Sequence, residues 1–126
     1  MAQSIPRASA DKQREILTHA VIAAAESLGL NGATLAQALG ISPASVSRMR
    51  NGHHQLGPDK KEWELAVLLI RLYRGLDAIC GGDAKVVRAW MANWNNDLQG
   101  IPKELITRVI GLTHAVDYVD SYRARV

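Results

Sequence analysis

The stretch Gly32–Asn51, GATLAQALGISPASVSRMRN, constrains this 126-residue chain more than any other. It reads as two short helices separated by a tight turn. Thr34 is placed to cap the first helix with its hydroxyl. Leu35 and Leu39 lie four apart and share a face, while Ala36 is small where a second helix must approach. Gly40 ends the first helix, the position that favours a residue able to take a left-handed backbone. Ser42 caps the second helix, and Pro43 stands at its first position, where no amide hydrogen is missed. Ile41, Val46 and Met49 clamp the second helix onto the first, and Asn51-Gly52 stops it. A small residue, a central glycine and spaced apolar positions in this order predict a helix-turn-helix.

The positions not used for clamping are Ala44, Ser45, Ser47, Arg48 and Arg50. Small and hydroxylic residues let a backbone approach the major groove, and arginine grips guanine or phosphate. With Thr34, Gln37 and Ser42 they form the candidate DNA-binding set. The alternative is an ordinary helical corner with a solvated basic face. Charge distribution favours the first reading. Residues 1–61 hold seven Lys/Arg against four Asp/Glu, whereas residues 62–126 hold eight of each. The net positive charge thus lies in the half with the DNA reader, and the neutral half is expected to meet something other than nucleic acid.

Other functional classes find little support. Cys80 is alone, which excludes a disulfide framework and a cysteine metal cluster within this sequence. His53-His54 has no second pair of ligands at useful spacing, so surface histidines near a phosphate are expected there rather than a metal site. There is no glycine-rich phosphate loop, no HExxH and no nucleophile with a recognisable base, so neither an enzyme nor a cofactor is expected. No signal-peptide core or membrane span is visible, and Arg71 and Arg74 interrupt the most apolar run, so a cytoplasmic protein follows.

In chain order, residues 1–10 are expected to be a flexible arm. Asp11 to Leu28 has helical periodicity with Leu17, Ala20, Val21, Ala24 and Leu28 on one face. Residues 11–58 then make the helix-turn-helix region, with GHHQLG at 52–57 as a loop. Residues 59–82 hold a long helix expected to open at Pro58 and reach about Ile79. Leu65, Leu69, Leu72, Leu76 and Ile79 line one stripe of it; Trp63, Ala66, Val67, Ile70 and Tyr73 fill a second. A helix apolar over so much of its circumference is buried on more than one side. It is expected to be the central strut, with a share in a homodimer. Residues 83–126 follow as a smaller helical unit. Asp83 caps a helix from Ala84 to about Ala92, and NWNNDLQGIP connects to a short helix opened by Pro102. That helix is expected to turn Leu105, Ile106, Val109 and Ile110 inward. Gly111 is read as a hinge before a last helix, Leu112 to about Arg123. The fold class is therefore all-α.

The second half also carries a pattern: Trp90, Trp94-Asn95, Leu98-Gln99-Gly100-Ile101-Pro102, Leu105-Ile106, Gly111-Leu112, Val116, Tyr118-Val119-Asp120 and Arg123. This resembles the toxin-binding domain of the Xre/MbcA/ParS antitoxins, and the helix-turn-helix in front resembles that family's DNA-binding part. The resemblance implies an antitoxin that neutralises a RES-domain, NAD-depleting toxin by covering its active site. It further implies repression of its own operon through operator double-stranded DNA. Tyr118, Tyr122, Arg123, Arg125 and Val126 are the candidate toxin contacts, because tyrosine and arginine are frequent anchors at interfaces. The alternatives are packing of the tyrosines within the fold, and arginine charge placed favourably at a helix C-terminus. A stand-alone, phage-repressor-like regulator is the competing functional reading. A protein-binding inhibitor that has lost DNA binding is a third, opposed by the Arg48/Arg50 face.

Overall fold

The apolar pattern of residues 61–79 sets the architecture. In the computed structural model, which describes residues 7–124, seven helices follow one another. They are α1 (Arg7–Leu28), α2 (Gly32–Leu39), α3 (Pro43–Arg50), α4 (Lys61–Ile79), α5 (Ala84–Ala92), α6 (Pro102–Leu105) and α7 (Val109–Ala124). Among the described residues there is no strand, only an isolated antiparallel bridge between Asn95 and Gly100. The fold is all-α, a helix-turn-helix unit followed by a smaller helical unit. On α4, Ala66, Leu69, Leu72 and Leu76 are fully buried. The helix packs against α1 and α2 on one side and α7 on the other. No helix among the described residues is long and apolar enough to cross a membrane.

Local chemistry departs from the sequence reading at several ends. Helix α1 starts at Arg7, so residues 7–10 are helical and not part of an arm; residues 1–6 lie outside the described residues. Asn31, not Thr34, caps α2: its side-chain oxygen accepts the Thr34 amide at 2.8 Å. Helix α4 starts at Lys61, not at Pro58. Gly57–Lys60 forms a turn closed by Lys60 N donating to Gly57 O at 3.2 Å, with Pro58 at the second turn position, where its fixed φ fits. Helix α6 stops at Leu105, and α7 starts at Val109, not at Leu112. Gly40 closes α2 at φ 69°, Ser42 accepts the Ser45 amide at 3.1 Å, and Asp83 caps α5.

A buried polar tie holds the loop that follows α3. Thr18 on α1 is 2% exposed. Its hydroxyl donates to the Arg14 carbonyl at 2.7 Å and accepts the Leu56 amide at 3.1 Å. Leu56 fills the core with its side chain. The loop at 52–57 is thus anchored at one end by burial and one hydrogen bond.

Gly111 is not a hinge. It lies inside α7, and the Leu112 amide donates to the Arg108 carbonyl at 2.9 Å in unbroken helical fashion. A Cβ at 111 would overlap the backbone carbonyl of Leu105, so glycine lets α7 start directly against the end of α6. The close approach resets the helical phase between α6 and α7. Ile106 is buried, whereas Val109 and Ile110, expected to face inward, are 63% and 66% exposed. This contact yields a test against helix propensity. Alanine is better than glycine in a helix interior by about 1 kcal/mol, so propensity alone favours Gly111→Ala. Overlap with backbone is expected to reverse that sign and cost about 2 kcal/mol net. Urea unfolding of the variant checks it; equal or greater stability would rule out the close approach as the reason for the glycine.

Candidate functional site

Two surfaces carry the candidate residues, and different helices build them. The first is the outer face of α3. Burial of Val46 and Met49 against the preceding helix turns Ser42, Ala44, Ser47, Arg48 and Arg50 to the exterior, with Ser45 half-buried. The Ser42 hydroxyl does double duty: it accepts the Ser45 amide and donates to Ser45 Oγ at 3.0 Å. Arg48 Nη2 then donates to Ser45 Oγ at 3.1 Å. This chain of hydroxyls lays the Arg48 guanidinium along α3 and leaves its remaining donors outward. A planar donor fork held at an exposed helix face is the chemistry that guanine O6/N7 or a phosphate accepts.

Arg50 is separated from Arg48 by about 200° around the helix axis. Its Nη1 sits 3.3 Å from where a Cβ at Gly32 would stand, so it lies against the start of α2. The two arginines therefore serve different edges of the face. Thr34 is half-buried beside its cap, and Gln37 is exposed; both face a cleft between α2 and α6. In the loop after α3, the His53 amide donates to the Arg48 carbonyl at 2.8 Å, which closes the helix end. No cluster of three potential metal ligands occurs among the described residues.

The second surface is an aromatic ladder on α5 and α7. Trp90 and Tyr118 stack with centroids 6.4 Å apart, and Tyr118 meets Tyr122 at 6.5 Å. The Tyr118 hydroxyl donates to Asp97 Oδ2 at 2.8 Å. That donated hydrogen bond raises the phenol pKa, with burial and the Asp97 charge adding in the same direction. Asp97 belongs to a tight connector. Asn95 and Gly100 exchange backbone hydrogen bonds, Asn95 Oδ1 accepts the Leu98 amide at 2.9 Å, and Gln99 takes φ 57°. Tyr118 is thus tied to the connector and half-buried, while Tyr122 and Arg123 point outward. An apolar groove of about 300 Å³ runs beside them, with Ile79, Val86, Trp90 and Tyr122 in its walls. Arg125 and Val126 lie outside the described residues.

Sequence reasoning passed over several exposed apolar side chains in this half. Trp94 is 61% exposed, its indole N–H donating to Asn96 Oδ1 at 3.0 Å, and Val86 is 47% exposed. Val109 and Ile110 add to them at the start of α7. Apolar type alone sends Val109 and Ile110 inward, whereas Trp94 falls in the connector at 93–102. The break in the helix at residues 106–108 turns Val109 and Ile110 outward, and no residue type in the sequence marks it.

The comparisons with known proteins divide the chain in the same way. The family described as antitoxin Xre-like helix-turn-helix domain matches residues 8–71. The family described as antitoxin Xre/MbcA/ParS C-terminal toxin-binding domain matches residues 75–125. No curated protein matches. The first match covers the α3 face and the second covers the aromatic ladder. If the α3 face reads DNA, Arg48→Ala is expected to weaken binding to the duplex it recognises. One arginine–guanine contact is worth about 1–3 kcal/mol. Ser45→Ala, which frees the guanidinium without removing it, is expected to cost less. Unchanged gel-shift affinity in the Arg48→Ala, Arg50→Ala double variant would exclude α3 as the reader.

Proposed function

Because the chain belongs to the Xre-type antitoxins, with a helix-turn-helix and an Xre/MbcA/ParS toxin-binding domain, we propose that its toxin is a RES-domain protein that depletes NAD. The antitoxin covers that toxin's active site with the α7 end of its second half. Through α3 it represses the operon that encodes the pair, in the cytoplasm. The observation that carries this reading is the outward pair Tyr122–Arg123 at the end of the Trp90–Tyr118–Tyr122 ladder. An aromatic and a cation beside an apolar groove suit insertion into a cleft of a partner protein. Assignment of a RES toxin rests on the family resemblance described above. Thr34, Gln37, Ser42, Ala44, Ser45, Ser47, Arg48 and Arg50 form the proposed DNA face. Tyr118, Tyr122, Arg123, Arg125 and Val126 form the proposed toxin face, with Tyr118 acting through its support of Tyr122. Co-expression with the neighbouring open reading frame tests the pairing: growth rescue together with co-purification is expected, and failure of both would refute it.

Operator binding also calls for more than one copy. One helix-turn-helix covers a single half-site, and tight binding generally uses a dimer on a palindrome. An apolar groove between α1 and α4, with Ile16, Leu17, Trp63 and Val67 in its walls, supports a share of α4 in that association. Multi-angle light scattering is expected to show at least a dimer on operator DNA; a monomer both free and on DNA would exclude this.

The two activities are expected to separate by mutation. Removing Tyr122–Val126 deletes the exposed Tyr122 and Arg123 and leaves Leu112, Ala115, Val116 and Val119 in the core. The truncated chain is expected to fold and bind DNA yet fail to neutralise the toxin. Loss of an anchor of this kind costs about 2 kcal/mol, about thirtyfold in affinity. Growth rescue by the truncated chain at wild-type expression would move the toxin contact back to residues 90–110.

A further inference from the structure

The cleft between α2 and α6 joins the two halves of the chain on one surface. It encloses about 340 Å³ and is walled by Asn31, Thr34 and Gln37 on one side and by Lys103, Glu104 and Thr107 on the other. Beside it, the stem of Arg88 on α5 lies over Gly29, with Cγ and Cδ each 3.4 Å from where a Cβ would stand. Two cations of the neutral half therefore flank the turn that leads into α2. Lys103 is exposed and makes no ion pair among the described residues. The Thr107 hydroxyl is committed to the Glu104 carbonyl at 2.7 Å, which leaves Lys103 as the cleft's free cation and Glu104 as its one anion.

In helix-turn-helix docking the second helix enters the major groove and the first crosses the phosphate backbone. The edge of α2 that carries Thr34 and Gln37 is then the edge past which phosphates run, and Lys103 stands across the cleft from it. We infer that Lys103 contacts a DNA phosphate beside α2, so that the toxin-binding half of the chain forms part of the DNA interface. This rests on the reading of α3 as the DNA reader. It also revises the expectation that the second half, neutral overall, has no part in nucleic-acid binding. Net charge averages over a surface, whereas a phosphate meets only the side chains within a few ångströms. Glu104 opposes the same phosphate and tunes the contact down.

A phosphate contact has a signature that a base contact lacks. It weakens binding to all sequences alike and changes the salt dependence, by a slope of about 0.9 per contact. The experiment uses the full chain with two duplexes, the region upstream of its own gene and a random sequence, across a range of salt concentrations. Lys103→Ala is expected to make the plot of log affinity against log salt shallower by about 0.9 on both duplexes. At about 0.1 M salt that amounts to roughly eightfold weaker binding. Lys103→Arg is expected to keep the slope, and Glu104→Gln to tighten binding to both duplexes. Arg48→Ala is the internal reference and is expected to weaken the upstream duplex more than the random one. An unchanged slope in Lys103→Ala, alongside weakened binding in Arg48→Ala, would overturn the Lys103 contact and leave the α3 reading intact. Unchanged affinity of Arg48→Ala for the upstream duplex would overturn the α3 reading and this inference with it. Thermal unfolding at the wild-type midpoint shows that each exposed-site variant is folded.

Discussion

Burial of α4 between α1 and α7 is the constraint on which the rest depends. Leu69, Leu72 and Leu76 are at most 1% exposed. Each fully buried leucine contributes about 1.5–3 kcal/mol relative to exposure. The helix has no side-chain cap at Lys60, so its stability comes from packing on both sides. Gly75 makes the α7 side possible: a Cβ there would stand 2.5 Å from Val119 Cγ1, so the absence of a side chain lets α7 come close. On the solvent edge, Arg71 bonds Asp120 at 2.6 Å and marks the same helix pair. With both partners well exposed, that bridge adds little beyond alignment.

Much of this was legible because the strongest sequence signals are periodic. The two stripes, one through Leu65, Leu69, Leu72 and Leu76 and one through Trp63, Ala66, Val67 and Ile70, announce a strut buried on more than one side; α4 sits so, except that Val67 is 38% exposed. The Gly40-Ile41-Ser42-Pro43 turn has little freedom to be anything else, and α2 ends and α3 begins where those residues require. Helix starts were less legible, since capping is a competition among neighbours. Asn31 and Thr34 are both capping types three apart, and the backbone chose Asn31. Pro58 suits the first turn of a helix and the second position of a turn equally, and the adjoining Gly57 settled for the turn.

The candidate sites were legible only where local chemistry sufficed. Ser42, Ser45 and Arg48 share one helix, so their mutual orientation follows from helical spacing. Arg50 could not be placed the same way, because its side chain is received by Gly32 on another helix. Tyr118 and Tyr122 look alike in sequence, yet Asp97, 21 residues away from Tyr118 in the chain, holds one and leaves the other outward. Gly111 misled for a related reason. A glycine that relieves a tertiary clash and a glycine that loosens a chain are the same letter, and only the Leu105 carbonyl distinguishes them. Lys103 drew no notice for the same cause, since the α2 edge it faces is some 70 residues away in sequence.

The junction between the two matched segments falls at residues 72–74, inside α4. Two functional units are thus joined through an unbroken helix. A bend at the junction would have to pull Leu72 and Leu76 from the core and separate Gly75 from Val119. Such a step costs several kilocalories per mole by the burial scale, about 1.5–3 kcal/mol for each leucine alone. The face of α3 and the aromatic end of α7 are therefore held in a fixed relation within one copy. Any influence of a partner on one face over the other then has little to gain from hinge motion of the chain. It has to act through what is shared: a side chain that serves both surfaces, or the joining of several copies, where effective concentration sets the affinity and no copy needs to change shape.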